Sequence, residues 1–399
     1  MWEQIRSNQI RSVVLTMGMA ALLILVGYFL GLYFGNAAAG LVIALIVWAI
    51  LSLVGYFQGD SILLSMSGAK KISPDDHPRL YNVVEEMKIA SGLEKVPDVY
   101  IIDDPALNAF ATGRDANRAS VAITSGLLQK LNRDELQGVI GHEISHIKNR
   151  DVLLMAMCSV LLGTIVLIAW YGPRLLSFGG TGSRRSSSSG GGGLAGIIIL
   201  VVALVFMILA PLFAQLIYFA ISRKREYLAD ASSALYTRYP EGLASALEKL
   251  GASTGQLKSA NKATAPMYIV NPFRKSGMQA SDLTSTHPPI SERIRILRGM
   301  AGASFNDYDQ AYRQVHGGGQ GVIPAAGLAA GTVPIATIKL EGEAGELNEI
   351  QRARETSDVM WRLSNYNTIT CDCGAKLRVP PQFKEPQIKC PHCGRTHQV

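Results

Sequence analysis

From Ser12 to Gly59 the chain carries no charged residue. A stretch so apolar does not lie on the surface of a soluble domain. At about 20 residues per crossing it is too long for one transmembrane helix and suited to two. The pattern predicts spans near 13–34 and 38–57, with Gly35-Asn36 at the turn. A cleavable signal peptide is the competing reading of the start. The apolar region is too long for that, and no small-x-small cleavage site precedes soluble sequence. Further apolar runs near 152–172 and 194–221 predict a second hairpin. A buried core helix would account for one such run but not for all of them. Composition agrees: 48% of the 399 residues are apolar and 17% are charged, which is lean for a soluble protein.

Basic residues orient the spans. Arg6 and Arg11 precede the first, Lys148 and Arg150 precede the third, and Arg223, Lys224 and Arg225 follow the fourth. All three groups predict a cytoplasmic face. Against this, Arg174, Arg184 and Arg185 fall in or beside the Gly/Ser-rich loop between spans three and four. The net charge of +7 suits basic segments against an anionic bilayer surface. No basic stripe interleaved with aromatics accompanies it, so no nucleic acid partner is expected.

The chemistry is concentrated at His142-Glu143-Ile144-Ser145-His146. Histidines four apart project from one face of a helix and can reach one ion. Zinc so held acidifies a water, and a glutamate beside it can take the proton and pass it to a leaving amine. Asn132 with Glu135 has capping-box spacing, which predicts the helix start. A polar helix face with two satisfied histidines is the plainer alternative. A catalytic zinc also needs a third protein ligand. Glu226 in S-R-K-R-E-Y-L-A-D is a candidate, with Asp230 one turn on, able to orient a ligand histidine. A solvated charged turn is the alternative there. His146 precedes span three by about 9 Å of helix, and Glu226 follows span four by about 8 Å. A hairpin of those spans would bring both segments to one face of the membrane.

Four of the five cysteines cluster near the C-terminus: Cys371, Cys373, Cys390 and Cys393, in the pattern C-x-C-x16-C-x2-C. Four thiolates around one structural zinc replace a core too small to form. The first pair is one residue tighter than the usual spacing, and His392 or His397 could substitute for a ligand. Two disulfides or free thiols are the alternatives, the disulfides disfavoured in a reducing cytoplasm. Cys158 lies inside an apolar run and reads as packing.

H-E-I-S-H-I-K-N-R-D followed by S-R-K-R-E-Y-L-A-D resembles the HtpX-like membrane zinc metalloproteases, relatives of the CAAX prenyl proteases. The resemblance runs on through N-A-F-A-T-G (108–113), A-S-V-A-I-T-S-G-L-L (119–128), Y-I-V-N-P-F (268–273) and T-H-P-P-I-S-E-R-I (286–294). It implies an α+β zincin-like metalloprotease domain with about four transmembrane helices, here with a small C-terminal zinc ribbon. It implies a catalytic zinc on His142, His146 and Glu226, Glu143 as general base, Asp230 behind a ligand, and His287 steadying the oxyanion. His287 otherwise reads as a loop histidine before a Pro-Pro turn. Residues 119–125 read as a strand that, at the cleft edge, could pair with an extended peptide. Asn108 could bond that peptide or shape its own turn.

The expected organisation is an N-terminal tail and hairpin over 1–57 and a protease domain over 58–314, interrupted by the second hairpin. A Gly/Ala/Pro-rich linker over 315–345 and a tail over 346–399, with the ribbon at 369–396, follow. The expected activity is endopeptidase cleavage of misfolded or membrane-embedded proteins at the bilayer, in quality control. The expected location is a bacterial inner membrane, with the site facing the cytoplasm. A CAAX-type processing protease and a catalytically silent scaffold recruiting partners through the ribbon are the alternatives.

Overall fold

The computed structural model describes residues 2–33, 35–155, 204, 208, 223–253, 255, 257–258, 267–270, 287–328, 333–336 and 346–399. Of the third and fourth predicted spans, only residues 152–155, 204 and 208 are among these.

Helices α1 (Trp2–Tyr33) and α2 (Ala37–Met66) form a hairpin whose turn is Gly35-Asn36. Asn36 caps α2 by accepting from the Ala39 amide at 2.9 Å. The helices cross through glycines: a Cβ on Gly40 would lie 2.7 Å from the Gly31 Cα. Small residues let apolar helices approach where no hydrophobic drive exists between them. Val42, Ile43, Ile46, Ile50 and Leu53 point outward and are exposed. Helix α2 is long and apolar enough to cross a membrane. It runs beyond residue 57 because its last turns have a second task. Leu63 and Leu64 bury against Ile102, Phe110 and Tyr268 of the next domain.

That domain is α+β. Strands β1 (Ala69–Lys71), β2 (Asp98–Ile102), β3 (Ala109–Gly113) and β4 (Ala119–Thr124) form one sheet in the order β1-β2-β4-β3. Only the β2–β4 pair is parallel. Every residue of β4 is buried, as in a strand covered on both faces. This corrects one expectation: the strand read from 119–125 is interior, and β3 forms the sheet edge. Helices α3 (Pro78–Ser91), α4 (Ser125–Lys130) and α5 (Arg133–Lys148) follow the connections. Asn132 and Glu135 close the predicted capping box on α5 at 2.8 and 2.9 Å. Helix α6 covers 223–237, and α7 (Pro240–Ala252) lies so close to α5 that a Cβ on Gly138 would sit 2.6 Å from the Leu243 nitrogen.

Helices α8 (Ile290–Arg298) and α9 (Phe305–Val315) complete the core. The described part of the segment read as a linker is tied down. Val322 and Ile323 are buried, and the Ile323 amide donates to Asp309 at 3.0 Å. Helix α10 (Glu349–Leu363) brings Val359 and Met360 into the main core. Two short antiparallel hairpins end the chain, β5 (Asn367–Thr370) with β6 (Lys376–Val379) and β7 (Gln387–Lys389) with β8 (Thr396–Gln398).

Candidate metal centre

Helix α5 supplies His142, Glu143 and His146, and α6 supplies Glu226 and Asp230. The two helices bring the ligand atoms of His142, His146 and Glu226 within 4.8 Å of one another. The ring Nε2 atoms of the histidines are 3.3 Å apart. Glu226 Oε2 is 3.5 Å from His142 Nε2, and Oε1 is 3.6 Å from His146 Nε2. A tetrahedral zinc with bonds of about 2.1 Å requires donors about 3.4 Å apart.

The far ring nitrogens are both engaged. His142 Nδ1 faces Asp230 Oδ1 at 2.9 Å, and His146 Nδ1 faces Asp151 Oδ2 at 3.2 Å. Protons placed on both Nδ1 atoms by these carboxylates leave two Nε2 lone pairs facing each other. That arrangement needs a cation between the rings, a shared proton or a metal ion, and with the Glu226 carboxylate beside them the donor set fits a metal ion. Glu226 Oε2, which has no hydrogen bond among the described residues, points the same way. The electrostatics agree. Burial opposes charge on His142, yet Asp230 and Glu226 outweigh it and push the imidazole up to about 9. Burial likewise opposes charge on Glu226, but His287, His142 and His146 hold its carboxyl well below the usual range. This is a pocket built for positive charge.

Glu143 is buried beside these ligands, and burial raises its pKa against the pull of the two histidines. Neither of its oxygens has a hydrogen-bond partner of normal geometry among the described residues. The nearby Ala111 amide of the edge strand still favours its charged form. Both residues line a cleft of about 310 Å³, counted to its open mouth, with Val152, Met155 and Met267 as apolar wall.

His287 is buried, with Nε2 3.9 Å from Glu226 Oε2. Burial lowers its pKa to about 4, which keeps the ring neutral. Asn108 is also buried, but its side chain is engaged in its own turn. It donates to the Val270 carbonyl at 3.0 Å and accepts from the Ala109 amide at 3.1 Å.

Two site residues escaped the sequence reading. Asp151 lies five residues past His146, beyond the helix end. The left-handed turn at Arg150, with φ of 59°, folds it back onto the histidine. Arg293 is fully buried and holds Asp230 from behind. Its signal was a charge set among Ile290, Ile294, Ile296 and Leu297 on a short helix.

In the tail, Cys371 Sγ is 3.4 Å from Cys393 Sγ and Cys373 Sγ is 3.7 Å from Cys390 Sγ. All four sulfurs lie within 4.8 Å of one another. Zinc–sulfur bonds of about 2.3 Å require separations of about 3.8 Å, so this set fits a closed tetrahedral site. The tighter first knuckle closes as a turn, with Gly374 N donating to Cys371 O at 2.8 Å. Amides of Cys393 and His392 help lower the Cys390 thiol to about 6, towards the thiolate a metal needs.

Hydrolysing a peptide at a metal requires an open metal position and a proton carrier next to it. The α+β domain sets three candidate metal donors and a buried carboxylate around one cleft, the arrangement of a metallopeptidase. The chain belongs to peptidase family M48, whose family model matches residues 74–301. It is 44% identical over 299 residues to a Protease HtpX homolog of Dictyoglomus turgidum, covering 75% of this chain and 94% of that one. A Protease HtpX homolog of Streptococcus mutans is 45% identical over 298 residues, covering 74% and 99%. The crystal structure of S. mikatae Ste24p aligns at 20% identity over 74% of this chain and 67% of that chain, with a TM-score of 0.39.

Proposed function

We propose that the protein is a membrane-integrated zinc endopeptidase that hydrolyses peptide bonds in misfolded or membrane-embedded proteins. In this reading it serves quality control at a bacterial inner membrane, with its cleft on the cytoplasmic side. The hairpin of α1 and α2 crosses the bilayer, and a second hairpin near 152–172 and 194–221 links α5 to α6. His142, His146 and Glu226 hold the zinc. When bound, the ion acidifies water and polarises the scissile carbonyl. Asp230 and Asp151 fix the ring tautomers so that both Nε2 lone pairs face inward. Glu143 takes the proton of the attacking water and returns it to the leaving amine. Its burial suits it to hold that proton. His287, neutral and buried, donates to the developing oxyanion. An extended substrate adds to β3 beside Ala111, where main-chain pairing gives affinity with little sequence selectivity. Cys371, Cys373, Cys390 and Cys393 hold a second, structural zinc.

The observation that carries this reading is the pair of histidine Nε2 atoms 3.3 Å apart, each ring backed by a carboxylate. Zinc content and cleavage of an unfolded membrane protein, in wild type and Glu143→Gln, test it. About two zinc ions per chain are expected in both proteins, with cleavage in the wild type alone. A wild type that binds zinc but cleaves nothing is a scaffold. One that cleaves only a prenylated peptide is a processing protease.

A further inference from the structure

The family model ends at residue 301, yet the tail beyond it is built into the domain. One end of α10 meets the joint where the catalytic helix begins. Lys130 Nζ lies 3.0 Å from Glu349 Oε1, and Arg352 Nε donates to the Gln129 carbonyl at 3.2 Å. The Arg133 amide donates to Glu346 at 3.2 Å. The other end of α10 holds the connector between α2 and α3. Arg362 Nη2 donates to the Asp76 carbonyl at 2.7 Å, and Lys70 Nζ donates to the Leu363 carbonyl at 3.2 Å. Thr356, Val359 and Met360 are buried between these ends, so the grip is packed as well as polar.

The ribbon holds α10 in turn. Asp358 pairs with Lys376 at 2.5 Å and with Arg378 at 2.9 Å, and the Arg378 guanidinium lies 5.1 Å over the Trp361 ring. Lys376 and Arg378 belong to β6, which follows directly on the first cysteine knuckle. The ribbon's core is small: Cys371, Leu377 and Cys390 cluster at its centre, and Val379 is buried on β6. Two-stranded hairpins of this length are marginal alone, so a shared ion is what can make them one rigid piece.

We propose that the tail is a working part of the peptidase: α10 positions the α4–α5 joint, and the four-cysteine ion holds α10 in place. Glu349, Arg352 and Asp358 are then positioning residues for a centre they do not touch. Helix α5 carries both histidines and the base, while Glu226 arrives on α6. A slip of α5 along α6 misaligns the set, and catalysis tolerates little misplacement. The effect on hydrolysis rests on the reading of the site given above. The bracing itself does not.

The test uses the full-length protein in detergent. A Cys373→Ser, Cys393→Ser variant removes two exposed ligands. Zinc per chain should fall from about two to about one, and trypsin should begin to cut α10 at Arg354. The histidine centre should bind zinc more weakly, and kcat should drop about fivefold with KM unchanged. Cys373→His with Cys393 intact, which keeps a zinc ligand, should restore all four readouts. Independently, Glu349→Lys should lower kcat about twofold, and adding Lys130→Glu should bring it back. The proposal is overturned if one zinc is lost while trypsin resistance, histidine-centre affinity and kcat stay unchanged. It is also overturned if kcat, KM and the melting temperature all collapse together. A wild type without cleavage sinks the peptidase reading, and protection of α10 with the histidine-centre affinity then decides the brace alone.

Discussion

Arg293 grips both carboxylate oxygens of Asp230, with Nε 2.8 Å from Oδ2 and Nη2 2.6 Å from Oδ1, and neither side chain is exposed. Asp230 passes that order on to His142 at 2.9 Å. The same guanidinium donates to the Ile269 carbonyl at 3.2 Å, and the Ile269 amide donates to Ala109 on the edge strand at 3.0 Å. A candidate metal ligand and the sheet edge are thus tied to one buried cation.

Asp230→Asn keeps the shape but cannot hold the Nδ1 proton of His142 as a carboxylate does. Zinc affinity at the histidine centre should fall about 10- to 100-fold. Arg293→Met strips the partner from a buried carboxylate and should cost about 3–5 kcal/mol of stability. Competition with a chromophoric chelator reads the first, and thermal melting in detergent reads the second. Unchanged zinc affinity in Asp230→Asn would separate this pair from the metal.

His77 predicts a pH effect on stability. It caps α3, accepting from the Leu80 amide at 3.3 Å, and its ring is buried facing Glu355 at 3.6 Å. Burial lowers its pKa from 6.5 to about 4, helped by the charges of Arg79 and Arg362. Between those values the unfolded chain binds more protons at this site than the folded one, so stability rises with pH. The contribution is full above pH 6.5 and is lost as pH falls towards 4, to a total of roughly 3 kcal/mol. His77→Asn keeps a capping acceptor and does not titrate. The wild type should lose stability relative to His77→Asn as pH drops through that window; parallel pH profiles would refute the assignment.

The sequence was legible wherever a local period carried the message. The gap of four between His142 and His146, the Asn132–Glu135 box and the first apolar hairpin each follow from helix geometry. Glu226 was reachable because two spans were read as a hairpin. Arg293 and Asp151 were not, since their roles depend on a chain reversal at Arg150 and on α8 returning to the cleft. Strand β4 was read as a strand, but a run of buried residues cannot reveal which neighbours flank it. The docking of α10 was equally hidden, because its partners Gln129 and Asp76 act through backbone carbonyls that any residue would offer.

The two candidate metal sites differ in how they should lose their ions. The histidine centre borders an open cleft and has three protein donors. The cysteine site has four, two of them buried. Incubation with a bidentate chelator should therefore remove about one zinc per chain first, together with cleavage. A mercurial that attacks thiolates should release the other. Atomic absorption after each treatment gives the order, and simultaneous loss of both ions would contradict it.

The glycine crossing of α1 and α2 leaves no room for a side chain at Gly40. A Cβ on Gly40 would lie 2.7 Å from the Gly31 Cα and 2.9 Å from its nitrogen, where only backbone could move aside. On Gly18 the same atom meets nothing within 4 Å. Gly40→Leu should force the helices apart at a cost of about 1–3 kcal/mol, while Gly18→Leu should be neutral. The strain should not stay in the hairpin. The far end of α2 packs Leu63 and Leu64 into the same cluster as Phe110 of the edge strand and Tyr268, whose rings meet edge to face at 5.2 Å. A displaced α2 therefore pulls on β3, the strand that faces Glu143 across the cleft. Gly40→Leu should raise KM for an extended peptide as well as lower the melting temperature. A lower melting temperature with KM unchanged would mean that the hairpin anchors the domain without shaping its cleft.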